Sequence, residues 1–195
     1  MDNRESAGAH FERKAARWVS TEDPVSGYLT IRRIHERDWE AFRELRLESL
    51  RTDPLAFGST IARESAYPTA QWQDWCRRGA CHRKEATFVA VDASGHLVGM
   101  VGAFNSENAP HVWGMWVRPD WRRRDVAKRL VITLLDWIDQ LASPRPAVLD
   151  VNPSQEGAVR LYSSLGFTFT GVEHPLRHGT SAITREMVRR PPRHH

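Results

Sequence analysis

The spacing of apolar residues changes along the chain, and each change marks an element. From Tyr28 to Ile34 the pattern predicts a strand. "ERDWEAFRELRLESLRTDP" reads as a helix, with Asp38 as N-cap, Phe42, Leu45 and Leu50 on its apolar face, and Pro54 at its end. "LAFGST" reads as a turn and "TAQWQDWCRRG" as a second helix closed by Gly79. "ATFVAVD" and "HLVGMVGAFNS" form a predicted hairpin through Ala93-Ser94-Gly95. "PHVWGMWVRP" carries apolar residues on both faces, so it is expected to be a central strand covered twice, and Pro119 stops it. Val126, Leu130, Leu134, Ile138 and Leu141 then form the stripe of a long amphipathic helix. "AVLDVN" predicts a short buried strand, and "SQEGAVRLYSSLGF" a helix with Gly166 at C′. "FTFTG" and "AITREMVRR" alternate as closing strands. The order β-α-α-β-β-β-α-β-α-β-β indicates an α/β or α+β fold with helices covering a mixed sheet. There is no internal repeat.

Composition adds limits rather than identity. A chain of 195 residues with 41% hydrophobic and 27% charged residues suits one soluble domain. The polar segment 1–27 reads as an extension, in which Phe11, Ala15, Trp18 and Val19 share one helical face; 28–190 reads as the domain and 191–195 as a tail. Cys76 and Cys81 are the only cysteines, which excludes a disulfide framework, and the histidines make no zinc spacing, so no metal is expected. No stretch approaches the roughly 20 apolar residues of a membrane span. These features read as a reduced, cytoplasmic protein without a membrane partner. A net charge of +4 favours anionic partners without choosing between nucleic acid and a phosphorylated small molecule.

The charge matters most in "VRPDWRRRDVAKRLV". Arg122, Arg123 and Arg124 stand at the start of the long helix, where the dipole disfavours cations by roughly 0.3–1 kcal/mol each. Free N–H groups at a helix N-terminus bind anions, and adjacent arginines strengthen such a site. The same run also suits a solvated basic face. Neither G-x-G-x-x-G nor G-x-x-x-x-G-K-[ST] occurs, so the usual nucleotide folds fit worse.

"GMWVRPDWRRRDVAKRL" followed by "VLDVNPSQEGAVRLYSSLGF" resembles the GNAT superfamily of acetyl-CoA-dependent N-acetyltransferases. Arg122 and Ala127 match the ends of that family's Arg/Gln-x-x-Gly-x-Gly/Ala motif, which follows a strand ending in Val-x-Pro. Leu161-Tyr162 and Leu165-Gly166-Phe167 match its later Leu-Tyr and Leu-Gly-Phe pairs. "LRLESLRTDPLAFGST" looks like the family's first-helix region, so the resemblance runs over about residues 28 to 190.

The resemblance implies a mostly antiparallel sheet whose two central strands splay apart, with acetyl-CoA as the acyl donor lying in the gap. Backbone groups of Met115, Trp116 and Val117 would hold its pantetheine. Residues Arg122, Arg123, Arg124, Asp125, Val126, Ala127 and Lys128 would hold its pyrophosphate, and Asn152 and Gln155 would add amide contacts. Gln155 stands where many members have Asn. The family usually has glycine at 125 and often at 123. An aspartate about 4 Å from a phosphate would repel it by about 4 kcal/mol at an effective dielectric of 20, before screening. Tyr162 would donate a proton to the leaving thiolate. His111, Glu107 and Asp150 lie where a general base could, and that base stays unassigned; each also reads as a structural polar residue. Trp72, Trp75, Trp113 and Trp116 read either as core or as an acceptor pocket. The implied function is acetyl transfer to a primary amine of a small molecule, peptide or protein by direct attack in a ternary complex. A GNAT-fold binding or sensor protein is the alternative that Asp125 favours. Nucleic-acid binding would show as a steep salt dependence and is not expected. Dimers are common in the family.

Overall fold

A computed structural model describes residues 29–106, 109–141, 145–177 and 180–191. Strand β1 (Thr30–Arg33) leads through a 3-10 turn into helix α1 (Trp39–Thr52). Helices α2 (Ile61–Ser65) and α3 (Thr69–Cys81) follow, then strands β2 (Glu85–Val91), β3 (Leu97–Asn105) and β4 (Pro110–Val117). Helix α4 (Val126–Asp139), strand β5 (Ala147–Val151), helix α5 (Glu156–Ser164) and strands β6 (Thr168–Pro175) and β7 (Ile183–Arg189) complete it.

The strands form one seven-stranded sheet in the order β1-β2-β3-β4-β5-β7-β6. Every neighbouring pair is antiparallel except β4 with β5, which is parallel. The sheet has a core on each face. One contains Val112, Val117, Leu130, Leu134, Leu149, Tyr162 and Met187, under α4 and α5. The other contains Phe42, Leu45, Trp72, Val89, Met100 and Trp116, under α1 and α3. The central strand β4 supplies both cores, as its two-sided apolar pattern predicts. Helix α4 buries Val126, Leu130, Val131, Leu134, Leu135, Trp137 and Ile138. At roughly 1.5–3 kcal/mol each, these side chains bind α4 firmly to the sheet.

Several local expectations change. Segment 61–65 is a helix, capped by Thr60, whose hydroxyl accepts from Arg63 N–H at 3.2 Å. Its five residues are too few to show a period. Gly79 does not end α3; the helix continues to Cys81. A Cβ on Gly79 would lie 2.7 Å from Thr87 Oγ1, so this glycine lets α3 approach β2. Asp38 is the N-cap residue of α1, but its carboxylate makes no cap bond. It accepts instead from Arg32 at 2.6 and 3.1 Å and from His35 N–H at 2.8 Å. Desolvation opposes its ionisation, yet these bonds hold the Asp38 carboxyl below the usual range. Leu141 lies beyond the end of α4 and still packs against the core. Strand β6 runs past Gly171 to Pro175. The face expected of Phe11, Ala15, Trp18 and Val19 lies outside the described residues.

Candidate functional site

The site begins where β4 parts from β5. These parallel strands share a single register pair, His111 with Val148. In β4, Gly114 and Met115 together stand opposite Val101 of β3, because Met100 pairs Trp116 while Gly102 pairs Trp113. Such a bulge bends a strand, and Gly114 accommodates it at φ 68. Arg118 N–H donates to Val98 O at 2.9 Å, so by alternation the backbone groups of Val117 point away from β3, toward the gap. Met115 is half-buried, while the Trp116 and Val117 side chains are buried in opposite cores.

At the mouth of the gap the chain turns through Pro119–Trp121 into Arg122, Arg123, Arg124 and Asp125. Arg123 at φ 60 and Asp125 at φ 55 are the two non-glycine residues at positive φ among those described. Asp125 stands where the motif of the resemblance has glycine, and Arg123 where glycine is often found. The backbone therefore keeps a glycine-like path with side chains on it, at about 1–2 kcal/mol for an ordinary residue and less for aspartate. Asp125 is the N-cap of α4. Its carbonyl accepts from Arg129 N–H at 2.9 Å, while its exposed side chain makes no cap bond. The N–H groups of Val126, Ala127 and Lys128 precede the first helical bond and have no intrahelical partner.

The arginines do not act alike. Arg122 is tied down: Nε donates to Val117 O at 2.9 Å and Nη2 to Asp53 Oδ2 at 2.6 Å. Asp53 Oδ2 also accepts from Trp116 Nε1 at 2.6 Å, which fastens the loop to the end of α1. Arg124 lies over the Trp121 ring at 5.2 Å. Arg123, Arg124 and Lys128 are exposed beside the free N–H groups, Val126 is buried and Ala127 half-buried.

Asn152 and Gln155 precede α5. Asn152 Oδ1 accepts from Ser154 N–H at 3.0 Å and Ser154 Oγ at 2.8 Å, and its Nδ2 donates to Leu55 O at 3.3 Å. Its amide thus ties the β5–α5 turn to segment 53–60. Arg177 Nη1, between β6 and β7, donates to Pro54 O at 2.9 Å and Phe57 O at 3.0 Å and draws the same segment across the sheet. Gln155 is half-buried at the N-cap of α5. Tyr162 packs edge-on against Phe167 at 5.7 Å. Burial pushes its phenol pKa well above the ordinary value, so it holds its proton at neutral pH.

His111 and Asp150 meet across β4 and β5, with Nε2 and Oδ2 3.5 Å apart. The Phe104 ring stacks on His111 at 5.3 Å. Asp150 pairs with Glu186 of β7, which puts that second carboxylate on the same face. Glu107 lies outside the described residues. Of the tryptophans, Trp72 and Trp116 are core, while Trp75 and Trp113 are half-buried with centroids 5.1 Å apart. Sequence reasoning missed Arg46 and Glu64, a buried pair bonded at 2.9 and 2.8 Å beneath Phe57 and Trp75. An arginine on the apolar side of α1 is the only trace they leave in the sequence.

The sheet thus parts between β4 and β5, with an exposed cationic loop and the start of α4 at the mouth of the gap. Residues 28–167 match the model of the Acetyltransferase (GNAT) family, and the chain belongs to that family of acetyl-CoA-dependent acetyltransferases. Solved structures share the fold. A GNAT-family acetyltransferase from Streptococcus pneumoniae superposes with TM-score 0.73 at 18% identity, covering 85% of this chain and 100% of its own. A Salmonella typhimurium protein with its cofactor acetyl-CoA gives 0.70 at 18% identity, over 87% and 97%. A phosphinothricin acetyltransferase from Sinorhizobium meliloti in complex with acetyl-CoA gives 0.68 at 19%, over 84% and 88%. No curated protein matches the sequence. Among the described residues, no helix is long and apolar enough to cross a membrane.

Proposed function

We propose that the protein transfers an acetyl group from acetyl-CoA to a primary amine by direct attack in a ternary complex. The observation that carries this reading is the single β4–β5 pairing, with unpaired helix N–H groups and exposed cations at the open end. When bound, acetyl-CoA supplies the acetyl thioester. Backbone groups of Met115 and Val117 on the gap edge would hold its extended arm as a neighbouring strand is held, while those of Trp116, between them, face β3 and not the arm. The N–H groups from Arg123 to Lys128 would take its pyrophosphate. Arg122 serves this site by fixing the loop rather than by reaching the anion, and Arg123, Arg124 and Lys128 supply the charge. Asn152 and Gln155 shape the β5 side of the opening.

His111 is the general base in this reading. It takes the acceptor's ammonium proton directly or through water, and Asp150 orients the ring and steadies its cation. Backbone N–H groups along the β4 gap polarise a carbonyl set against them. Tyr162, kept protonated by burial, gives its proton to the departing sulfur.

Calorimetric titration and initial-rate kinetics test the reading together. Expected are saturable acetyl-CoA binding and intersecting double-reciprocal lines when acetyl-CoA is varied at fixed amine. Parallel lines would replace direct attack by an acetyl-enzyme. No binding at millimolar acetyl-CoA would leave a binding module built on the same fold.

A further inference from the structure

Arg46 is 5% exposed, and Nε and Nη2 of its guanidinium are committed to Glu64. Its remaining nitrogen, Nη1, is buried and has no hydrogen-bond partner. The guanidinium carbon lies 4.5 Å from the Phe57 ring centre and 6.0 Å from that of Trp75. Those rings fix the plane of the fork and give Nη1 no oxygen to bind. A buried donor left unmet is destabilising, so a partner that satisfies it gains affinity. Where a Cβ would stand on Gly114, the sole heavy atom within 4 Å, apart from its chain neighbours, is Arg46 Nη1 at 3.9 Å. Gly114 is half-buried and sits in the bulge, one residue before the segment assigned to the donor's arm.

From this juxtaposition we infer that Arg46 Nη1 anchors a neutral carbonyl oxygen of the acetyl acceptor over Gly114. The inference rests on the acetyltransferase reading and narrows its acceptor to an amine carried next to an amide carbonyl. Charge decides between carbonyl types. Glu64 already neutralises Arg46, so a carboxylate would be a second anion on one guanidinium in a site closed to water. A neutral amide oxygen satisfies the same N–H without that cost. A plain alkylamine leaves Nη1 unmet and forgoes the gain. The aromatic box cannot take a polyamine's second cation, because the Arg46 guanidinium fills it. Trp75 and Trp113, both half-buried, border the surface through which the acceptor arrives. The α-amine and carbonyl of an amino-acid amide or of a peptide N-terminus carry the required pair of groups.

Four acceptors sharing one side-chain skeleton test this: leucinamide, leucine, 3-methylbutylamine, and a tripeptide amide with free N-terminal leucine. Wild-type kcat/KM for the better of the two amide-bearing acceptors is expected to exceed that for 3-methylbutylamine and for leucine by about tenfold or more. Whether leucinamide or the tripeptide leads tells which carrier is used. In Arg46→Lys, which retains a cation for Glu64, the amide's advantage over 3-methylbutylamine should fall to about twofold; a retained tenfold advantage in a folded variant overturns the assignment. The wild-type ratios need no variant to fold. Equal use of amide and plain amine, preference for leucine, or failure to use either amide overturns the inference. Acetyl-CoA binding measured on the same samples separates the two levels. If it persists, only the acceptor assignment has failed; if it is absent, the acetyltransferase reading has failed as well.

Discussion

At the scale of single residues, Asp125 and Arg123, which stand where the family usually and often has glycine, are the two strained non-glycine residues among those described. Asp125 at φ 55 reverses the usual argument about glycine. In an ordinary helix start glycine would loosen the chain; here it relieves a left-handed residue. Asp125→Gly should therefore be more stable than Asp125→Ala by about 1 kcal/mol, read from denaturant midpoints. It should tighten acetyl-CoA less than about tenfold, because the carboxylate is exposed and screened. An alanine variant as stable as the glycine one would remove the strain from the account. Tyr162→Phe should lower kcat by about a hundredfold and leave acetyl-CoA affinity nearly unchanged. Its raised pKa has a pH consequence: the phenol stays protonated through the ordinary tyrosine range, so kcat should show no fall below about pH 10 from this group. Such a fall that disappears in the phenylalanine variant would contradict the assignment. Motif residues were legible in the sequence because their spacing is local. The His111–Asp150 contact, the Asp53 tie and the Arg46–Glu64 pair were not, since each joins elements that only the fold brings together.

At the scale of elements, periodicity located nearly all helices and strands, because most of them set one face or two against a core, although β6 is exposed along its length. It failed where the cause was not periodic. The short α2 rests on a cap, and Gly79 rests on a neighbour that sequence cannot show. That second case gives a sharp test. In an exposed helix interior, replacing glycine by alanine stabilises by about 0.5–1 kcal/mol. In α3 the added methyl would meet Thr87 Oγ1 at 2.7 Å, Thr87 Cβ at 2.9 Å and Ile34 Cγ2 at 3.1 Å. Gly79→Ala should instead lose about 1–3 kcal/mol by overpacking the α3–β2 contact. Thermal unfolding decides it, and a raised Tm would mean that α3 stands farther from the sheet.

At the scale of the whole molecule, the family match starts at residue 28 and β1 at Thr30. We therefore expect removal of residues 1–20 to leave a folded protein that binds acetyl-CoA with affinity unchanged within about twofold. An insoluble or non-binding product would assign the Phe11 and Trp18 face to the core. The parted sheet has a consequence for how the molecule breathes. With one register pair between β4 and β5, we expect the strands β1 to β4 and β5 to β7 to open as two units joined through the core under α4 and α5. Amide hydrogen exchange in the free protein should resolve two levels of protection, one for each unit, with the fastest strand amides along the inner margin of β4. A donor lying between them would act as an eighth strand and stitch the units together. Saturating acetyl-CoA should then bring the two levels toward one, and protection should rise on β5 and β7 as well as on β4.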